Sequence, residues 1–364
     1  MGAIYDSYAR LRDRIVTTPA FLRAVETLPF TRPIATGHTK ATFHCVAGFV
    51  FSQTMASLVE LDVLEKLRDG PRDTAALSEL LSLSPRAVDT LMTAAAALGF
   101  VDRRTHGWGL ALRGAAMLAE GGVAAMIAHH RHLYADLADP LKVLRGEGQT
   151  ALSQFWTYTD GGKAGGQTAL AYSHLMAASQ TFVADAILHN RVFTDARRLV
   201  DLGGGAGAFA IAALKCHQNL TVTVADRPDV VPLAQSAFQS AGVDARAQTA
   251  AIDFFSDSLA FDADTVTLVR ILHDHDDGPA LALLTRLASQ MRNARLIVAE
   301  PMATPNNPNG FDAYFPWYFM AMGQGAYRTE DALRALLRAA GYTKIKRLHS
   351  RNPTLARGLV ALFQ

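Results

Sequence analysis

A glycine-rich segment after residue 202 has the pattern of a site for a nucleotide-like cofactor. The apolar run RRLVDL leads directly into Gly203-Gly204-Gly205-Ala206-Gly207. Glycines at the end of a strand permit a tight turn and let the backbone approach a ligand at the start of the next helix. Asp226 ends the following apolar run, 23 residues after Gly203, where a carboxylate can accept hydrogen bonds from ribose hydroxyls.

Two classes of cofactor fit this segment. The spacing Gly-x-Gly-x-x-Ala from Gly203 satisfies the dinucleotide fingerprint, so a nicotinamide dehydrogenase is one interpretation. Three features favour S-adenosylmethionine: Asp201 gives Asp-x-Gly-x-Gly-x-Gly, Asp253-Phe254 before the run DTVTLVRIL can hold an adenine, and the last two strands are predicted to be antiparallel. The predicted cofactor contacts are Asp201, Gly203, Gly205, Asp226, Asp253 and Phe254.

His273 and Glu300 are the candidates for proton transfer. They follow the apolar runs TLVRIL and LIVA, so they are expected at the carboxyl ends of strands, where open α/β sheets bind ligands. A histidine with a pKa of about 6.5 is neutral and basic at pH 7, and Glu300 can accept a hydrogen bond from its other ring nitrogen. A purely structural histidine is the alternative.

Aromatic and methionine side chains are candidates for an apolar substrate wall. Residues 314–322 hold a dense set of them between Glu300 and the last predicted helix, although such a stripe is also typical of an ordinary core. The predicted substrate contacts are Trp156, Met176, Tyr314 and Trp317.

The C-terminal half has the pattern of a mostly parallel sheet. From residue 191, apolar runs alternate with helical segments, which predicts helices on both faces of the sheet. The final runs TKIKRLHS and RGLVALF are separated by only a short turn and should form an antiparallel pair. We therefore predict an α/β, Rossmann-like domain over 191–364, preceded by a helical substrate-binding region over 119–190.

Residues 1–118 are predicted to form a winged-helix-like domain. Helical spacing of apolar residues predicts a helix that ends at Gly70, and its apolar stretch 43–64 is expected to be buried rather than to span a membrane. Ser84 before Pro85 predicts an N-cap, and FVDRRTHGWGLA is expected to form a hairpin. The would-be recognition helix PRAVDTLMTAAAAL carries only one arginine and one aspartate, so dimerisation is favoured over DNA binding.

The composition restricts the class of protein. The chain has 364 residues, 50% of them hydrophobic, which predicts folded domains. The net charge is +2 without long runs of one sign, so no nucleic-acid partner is expected. Two cysteines and an N-terminus without an apolar signal core predict a cytoplasmic protein. No metal-ligand spacing recurs, so no metal is expected.

These segments together resemble a known family. LVDLGGGAG, VAD, ILHDHDD and LIVAEP, with the winged-helix-like N-terminal half, resemble O-methyltransferases of the plant caffeate and acetylserotonin type over nearly the whole chain. More narrowly, MIAHHRHLYADLADPLKVLRG, VRILHDHDD and DAYFPWYFMAMGQGAYRT resemble the carotenoid 1-O-methyltransferases of purple phototrophic bacteria, which act on hydroxyneurosporene and demethylspheroidene.

The resemblance implies a homodimer held by the N-terminal domain, and a Rossmann-like, S-adenosylmethionine-dependent methyltransferase domain. It makes His273 the catalytic base and Glu300 its orienting partner. Two positions depart from the family pattern. His275 stands where the family often has a tryptophan against the adenine, and it can still stack there; Tyr327 stands where some relatives have a second acidic helper.

The implied reaction methylates a hydroxyl of a hydrophobic substrate. The first expectation is the C-1 tertiary hydroxyl of an acyclic carotenoid, which would bring the protein into transient contact with a membrane surface. A small aromatic or polyketide hydroxyl is the alternative substrate. Outside the enzyme class, the alternative is a winged-helix regulator with a ligand-sensing Rossmann domain.

Overall fold

The computed structural model of this chain describes residues 2–119, 122–156, 180, 183–353 and 356–363. The chain divides into two units, Met1–Ala119 and Glu120–Gln364, and each has its own buried apolar core.

The first unit is helical except for one hairpin. Its elements are α1 (Gly2–Val16), α2 (Pro19–Thr27), α3 (Arg32–Glu60), α4 (Val63–Lys66), α5 (Thr74–Leu81), α6 (Pro85–Ala97), β1 (Val101–Arg104), β2 (Gly107–Leu110) and α7 (Leu112–Ala119). The predicted cap of α6 is confirmed, because the Ser84 hydroxyl accepts a hydrogen bond from the Ala87 N–H at 3.2 Å. The predicted hairpin is also confirmed, with β1 antiparallel to β2.

The long first helix differs from the sequence prediction in where it ends. A single helix was expected to run to Gly70, but α3 ends at Glu60 and a short α4 follows. The break lies at Asp62, whose φ of 51° is left-handed and therefore cannot continue a right-handed helix. The apolar spacing does not reveal the break, because residues on both sides of it enter the same core.

The apolar stretch 43–64, which was expected to be buried, is largely exposed in the single chain where it lies in α3. Only Thr54 and Leu58, near its C-terminal end, are buried, whereas Phe43, Val46 and Phe49 are exposed. Within the described residues, α3 is also the helix whose length and composition suffice to cross a membrane. The single chain thus leaves a large apolar helix face uncovered.

The second unit is built on a seven-stranded sheet of order β5-β4-β3-β6-β7-β9-β8. The strands are β3 (Arg198–Leu202), β4 (Thr221–Asp226), β5 (Ala247–Ala251), β6 (Thr265–Val269), β7 (Arg295–Glu300), β8 (Tyr342–Leu348) and β9 (Arg357–Phe363). The first five in spatial order are parallel, whereas β9 is antiparallel to both β7 and β8. The predicted sheet and its antiparallel C-terminal pair are confirmed.

Helices pack against both faces of the sheet. They are α8 (Val123–Asp136), α9 (Pro140–Arg145), α10 (Ala151–Trp156), α11 (Arg191–Thr194), α12 (Ala208–Cys216), α13 (Val231–Ala241), α14 (Asp277–Gln290), α15 (Gly310–Met322) and α16 (Glu330–Ala339). The aromatic helix α15 packs with α8 to α10 in a separate apolar cluster. Residues 120–190, where they are described, therefore belong to the second unit.

Candidate active site

The glycine turn connects β3 to α12 and requires glycine at several positions. Gly203, Gly205 and Gly207 have φ values of 74°, 57° and 78°, in the region that side chains rarely adopt. A Cβ at Gly203 would also lie only 2.4 Å from Ile271 Cδ1. The turn therefore brings the start of α12 close to the segment that follows β6.

Asp226 braces this turn from the end of β4. One carboxylate oxygen accepts a hydrogen bond from the Gly205 N–H at 2.7 Å, and the other accepts from the Arg227 N–H at 2.7 Å. Burial raises the pKa of Asp226, and these two backbone hydrogen bonds oppose the rise. Asp226 is thus both a predicted cofactor contact and a structural support of the glycine turn.

Asp201 lies behind the turn and is almost completely buried. Its Oδ1 accepts a hydrogen bond from the Thr267 hydroxyl at 2.7 Å, while Oδ2 has no partner among the described residues. A Cβ at Gly204 would lie 2.6 Å from that Oδ2, so the free oxygen faces the turn. Burial raises the pKa of Asp201 to about 7.

The predicted adenine contacts form an aromatic group beside the glycine turn. Phe254 Cε1 would lie 3.7 Å from a Cβ at Gly203, and the Phe254 ring lies 6.1 Å from the His275 ring in a T-shaped arrangement. Phe255, which the sequence analysis did not single out, is 5.0 Å from His275. Asp253 is exposed and accepts a hydrogen bond from the Phe255 N–H at 2.9 Å.

His273 lies on a short turn, residues 270–275, that we call the His273 turn. The chain leaves β6 through Arg270, which has a left-handed φ of 58°, and continues as a single 3-10 turn, Leu272–Asp274. His273 is 5% exposed. It lies where the sequence predicts it, at the carboxyl end of β6 and next to the end of β7.

The His273 ring stands between two carboxylates. Its Nε2 is 3.0 Å from Asp274 Oδ1, and its Nδ1 is 3.2 Å from Glu300 Oε2, close enough for an ion pair but not aligned for a hydrogen bond. Burial opposes protonation of the ring, but the charges of Asp274 and Glu300 outweigh it and raise the pKa of His273. The arrangement stabilises a ring that has accepted a proton.

Glu300 does more than face the imidazole. Its Oε1 accepts hydrogen bonds from the N–H groups of Ile271 and Leu272, at 3.2 and 2.8 Å, and its Oε2 accepts from the His273 N–H at 3.2 Å. Burial raises the pKa of Glu300, and the charge of His273 opposes the rise. Sequence reasoning missed this backbone role, and it also missed Asp274, whose available signal was its position directly after His273.

The aromatic residues of α15 reach the site through Phe319, whose ring lies 5.5 Å from that of His273. Phe319 stacks on Phe315 at 5.9 Å, and Phe315 stacks on Tyr327 at 5.0 Å. The Tyr327 hydroxyl donates a hydrogen bond to the Met302 carbonyl at 3.1 Å. Tyr327 therefore extends an aromatic wall rather than replacing a carboxylate beside His273.

The other predicted substrate contacts are less directly placed. Tyr314 packs 5.7 Å from Tyr318 and 5.5 Å from His130, and Trp317 is a half-buried member of the same cluster. Met176 lies outside the described residues, as does the side chain of Trp156 at the end of α10. Among the described residues, no group of three histidine, cysteine or acidic side chains is placed to hold a metal ion.

The sheet order, the glycine turn after β3 and the acidic residue at the end of β4 define the Rossmann-like methyltransferase class of folds. Family models agree with this class: residues 134–343 match the O-methyltransferase domain, and residues 43–119 match the O-methyltransferase dimerisation domain. The chain belongs to the O-methyltransferase family.

Individual relatives and structures are consistent with this assignment. The chain is 37% identical to demethylspheroidene O-methyltransferase of Cereibacter sphaeroides, over 97% of this chain and 95% of the relative. It is 36% identical to the Rhodobacter capsulatus protein of the same name, over 93% and 86%. The structure of human N-acetylserotonin methyltransferase in complex with SAM matches the fold with a TM-score of 0.76 at 20% identity, covering 90% of this chain and 97% of that one.

Proposed function

We propose that this O-methyltransferase uses S-adenosylmethionine as its methyl donor, and that the glycine turn and the His273 turn form its active site. The observation that carries the proposal is the contact between the two turns. Because Gly203 has no Cβ, the glycine turn closes onto Ile271, which lies in the same short turn as His273. This contact supports a cofactor site on the glycine turn next to the candidate base.

The residues of the glycine turn fit this cofactor. Asp226 keeps lone pairs on both carboxylate oxygens for ribose hydroxyls, and the rings of Phe254 and His275 would flank the adenine. The free Oδ2 of Asp201 suits a ligand that carries positive charge, because a cation near the turn would stabilise the ionised carboxylate. When bound, S-adenosylmethionine supplies a methyl group on a positively charged sulfur, which is a good leaving group.

His273 accepts the proton of the substrate hydroxyl in the proposed mechanism. Its Nδ1 faces Glu300, whose side chain is 4% exposed, and its Nε2 faces Asp274, whose side chain is 13% exposed. Nε2 is thus on the more open side, and a hydroxyl reaches it by displacing or sharing the Asp274 contact. Both carboxylates then stabilise the imidazolium that forms.

The acidity of the substrate decides how much the base contributes. Proton transfer to an ordinary histidine costs roughly 5 kcal/mol from a phenol and roughly 12 kcal/mol from an aliphatic alcohol, with water as the proxy. The raised pKa of His273 lowers both costs. For an aliphatic alcohol, we expect the proton to leave as the new C–O bond forms, and alignment with exclusion of water to supply much of the rate.

We infer that the substrate is hydrophobic, and most specifically an acyclic carotenoid with a C-1 tertiary hydroxyl. Two relatives that share 36–37% identity over most of this chain are named demethylspheroidene O-methyltransferases. The aromatic wall of Phe319, Phe315 and Tyr327 beside His273 offers the apolar surface that a polyene requires.

Two experiments test the cofactor and the substrate separately. Calorimetric titration should show S-adenosylhomocysteine binding and no NADH binding; NADH binding alone would contradict the cofactor. Co-expression with enzymes that make hydroxylated acyclic carotenoids should yield a methyl ether by mass spectrometry, and cells without this protein are the control. Methylation of small aromatic hydroxyls without any carotenoid ether would contradict the substrate.

We also propose a cytoplasmic homodimer that contacts a membrane surface to collect its substrate. The dimerisation match over 43–119 includes the exposed apolar part of α3. The preceding α1 exposes Tyr5, Tyr8 and Leu11 on one face and carries several arginines, a pattern suited to anionic lipid surfaces. Flotation with anionic vesicles but not with neutral ones supports the contact, and recovery only in the unbound fraction contradicts it.

A further inference from the structure

The His273 turn begins with an unfavourable backbone conformation. Arg270 has a φ of 58°, which costs free energy in a residue that carries a Cβ. Such conformations persist only where the surroundings hold them in place. The contacts that hold the turn therefore determine where the imidazole lies.

Glu300 binds the N–H groups on one side of the His273 turn. The carbonyl groups on the opposite side of the turn are bound by residues that lie between α15 and α16. Arg328 donates from Nη1 to the Leu272 carbonyl and from Nη2 to the His275 carbonyl, both at 2.7 Å. The Ala326 N–H donates to the His273 carbonyl at 2.9 Å. The carbonyls of Leu272, His273 and His275 thus each accept a hydrogen bond from this segment.

Arg328 is built into the site rather than attached to its surface. The residue is 8% exposed, and its third donor, Nε, pairs at 2.8 Å with Asp277, whose side chain is 75% exposed. Its charge is also one of those that oppose the burial-driven rise in the pKa of Glu300. A planar guanidinium can bind two carbonyls in fixed directions, whereas an ammonium is a single compact charge.

We propose that Arg328 is a positioning residue for methyl transfer: its guanidinium fixes the His273 turn through the carbonyls of Leu272 and His275. This inference rests on the proposed role of His273 as the base. Arg328 touches neither the imidazole nor the glycine turn in the contacts described, so it acts through the backbone of the turn. Because His275 also belongs to the proposed adenine site, loss of Arg328 should affect the reaction step more strongly than cofactor binding.

Steady-state kinetics of Arg328→Met test the proposal. We expect kcat to fall by about 10²-fold, a loss that displacing a catalytic group by about 1 Å can cause, while the affinity for S-adenosylhomocysteine falls by much less. Free guanidinium should restore part of the activity of Arg328→Met, and Arg328→Lys should be intermediate. Hydrogen exchange at the amides of Leu272 and His273 should become faster.

Arg246 provides a matched control for general loss of stability. It also donates to several backbone carbonyls, including Leu214 at 2.8 Å and Leu220 at 3.1 Å, but it belongs to the segment before β5. Arg246→Met should lower the melting temperature and leave kcat per folded molecule and the exchange of the His273 turn unchanged.

Three results would overturn the proposal. Unchanged kcat in Arg328→Met, a fall in cofactor affinity that parallels kcat, or unchanged exchange in the His273 turn would each show that Arg328 does not position it. The proposed base fails by a different result, namely full activity of His273→Ala. The exchange measurement reports on the Arg328 contacts whatever the outcome for His273.

Discussion

The ionisable groups of the site share one physical condition, which is burial. Burial raises the pKa values of Asp201, Asp226 and Glu300, and neighbouring carboxylates raise that of His273. Displaced pKa values of this kind cluster at functional sites, although structural ion pairs produce them too. The position of these groups around two contacting turns favours the functional interpretation over that of a structural histidine.

The proposed role of His273 as the base predicts a specific pH dependence. His273 must be neutral to accept a proton, so kcat should rise with pH, and the midpoint should lie above about 6.5 because its pKa is raised. His273→Ala should lower kcat by roughly 10²–10⁴-fold with cofactor affinity intact. Stopped assays across the pH range with both enzymes measure these effects.

Asp274→Asn serves as the matched variant for the pH profile. Removing one of the two charges that raise the pKa of His273 should move the midpoint to lower pH.

If His273→Ala lowers kcat by less than about tenfold and keeps the acid limb of the pH profile, then positioning rather than proton transfer dominates. His273 would then be a residue that orients the substrate.

Asp226 should affect cofactor binding in two ways. Asp226→Ala removes the predicted ribose acceptor and the partner of the Gly205 N–H, so we expect binding of S-adenosylhomocysteine to weaken by about 1–3 kcal/mol. Asp226→Asn retains one acceptor oxygen and should lose less. Calorimetric titration of both variants measures the difference, and wild-type affinity in Asp226→Ala would show that the ribose is held elsewhere.

Asp201 should reduce the stability of the cofactor-free protein as pH rises. Its folded pKa of about 7 exceeds the unfolded value, so its contribution is present below about pH 4 and is lost as pH rises through about 7. Asp201→Asn should therefore stabilise the protein at about pH 8 by as much as about 4 kcal/mol, and the gain should shrink toward acid pH. Urea unfolding measures it, with the exposed Asp262→Asn as control.

Among the helices and strands, the sequence predicts those that are marked by long apolar runs or by capping residues. The strands β3, β4, β6 and β7 are buried on both faces and stand out as apolar runs. The edge strand β5, with the sequence AQTAA, has no such run. The broken helix at Asp62 and the backbone contacts of Glu300 were not predictable, because local patterns do not record left-handed residues or long-range hydrogen bonds.

Gly325, which follows the aromatic helix α15, packs closely against the His273 turn, and its substitution tests the importance of this contact. It has a φ of 90°, and a Cβ would lie 2.5 Å from the His273 carbonyl oxygen. Gly325→Ala should shift the turn and lower kcat by about tenfold or more. Gly278→Ala is the control, because nothing lies within 4 Å of its Cβ position and its φ is not left-handed. Equal activity of the two variants would contradict the importance of this contact.

In a single chain, the apolar face of α3 that carries Phe43, Val46 and Phe49 is exposed to solvent. Helix faces with several large exposed apolar side chains usually mark an interface. Here the face continues into residues that match a dimerisation domain. Folding stability should therefore depend on protein concentration, because association stabilises the folded state by mass action.

The dimer prediction is tested with charge placed on that face. Light scattering at micromolar concentration should give the mass of two chains, and a monomer mass would contradict the prediction. Val46→Asp combined with Phe49→Asp, at exposed positions of α3, should yield monomers and remove the dependence of melting temperature on concentration. Leu141→Asp, an equally apolar exposed position on α9 in the other unit, should remain dimeric. If both variants stay dimeric, the interface lies elsewhere on the chain.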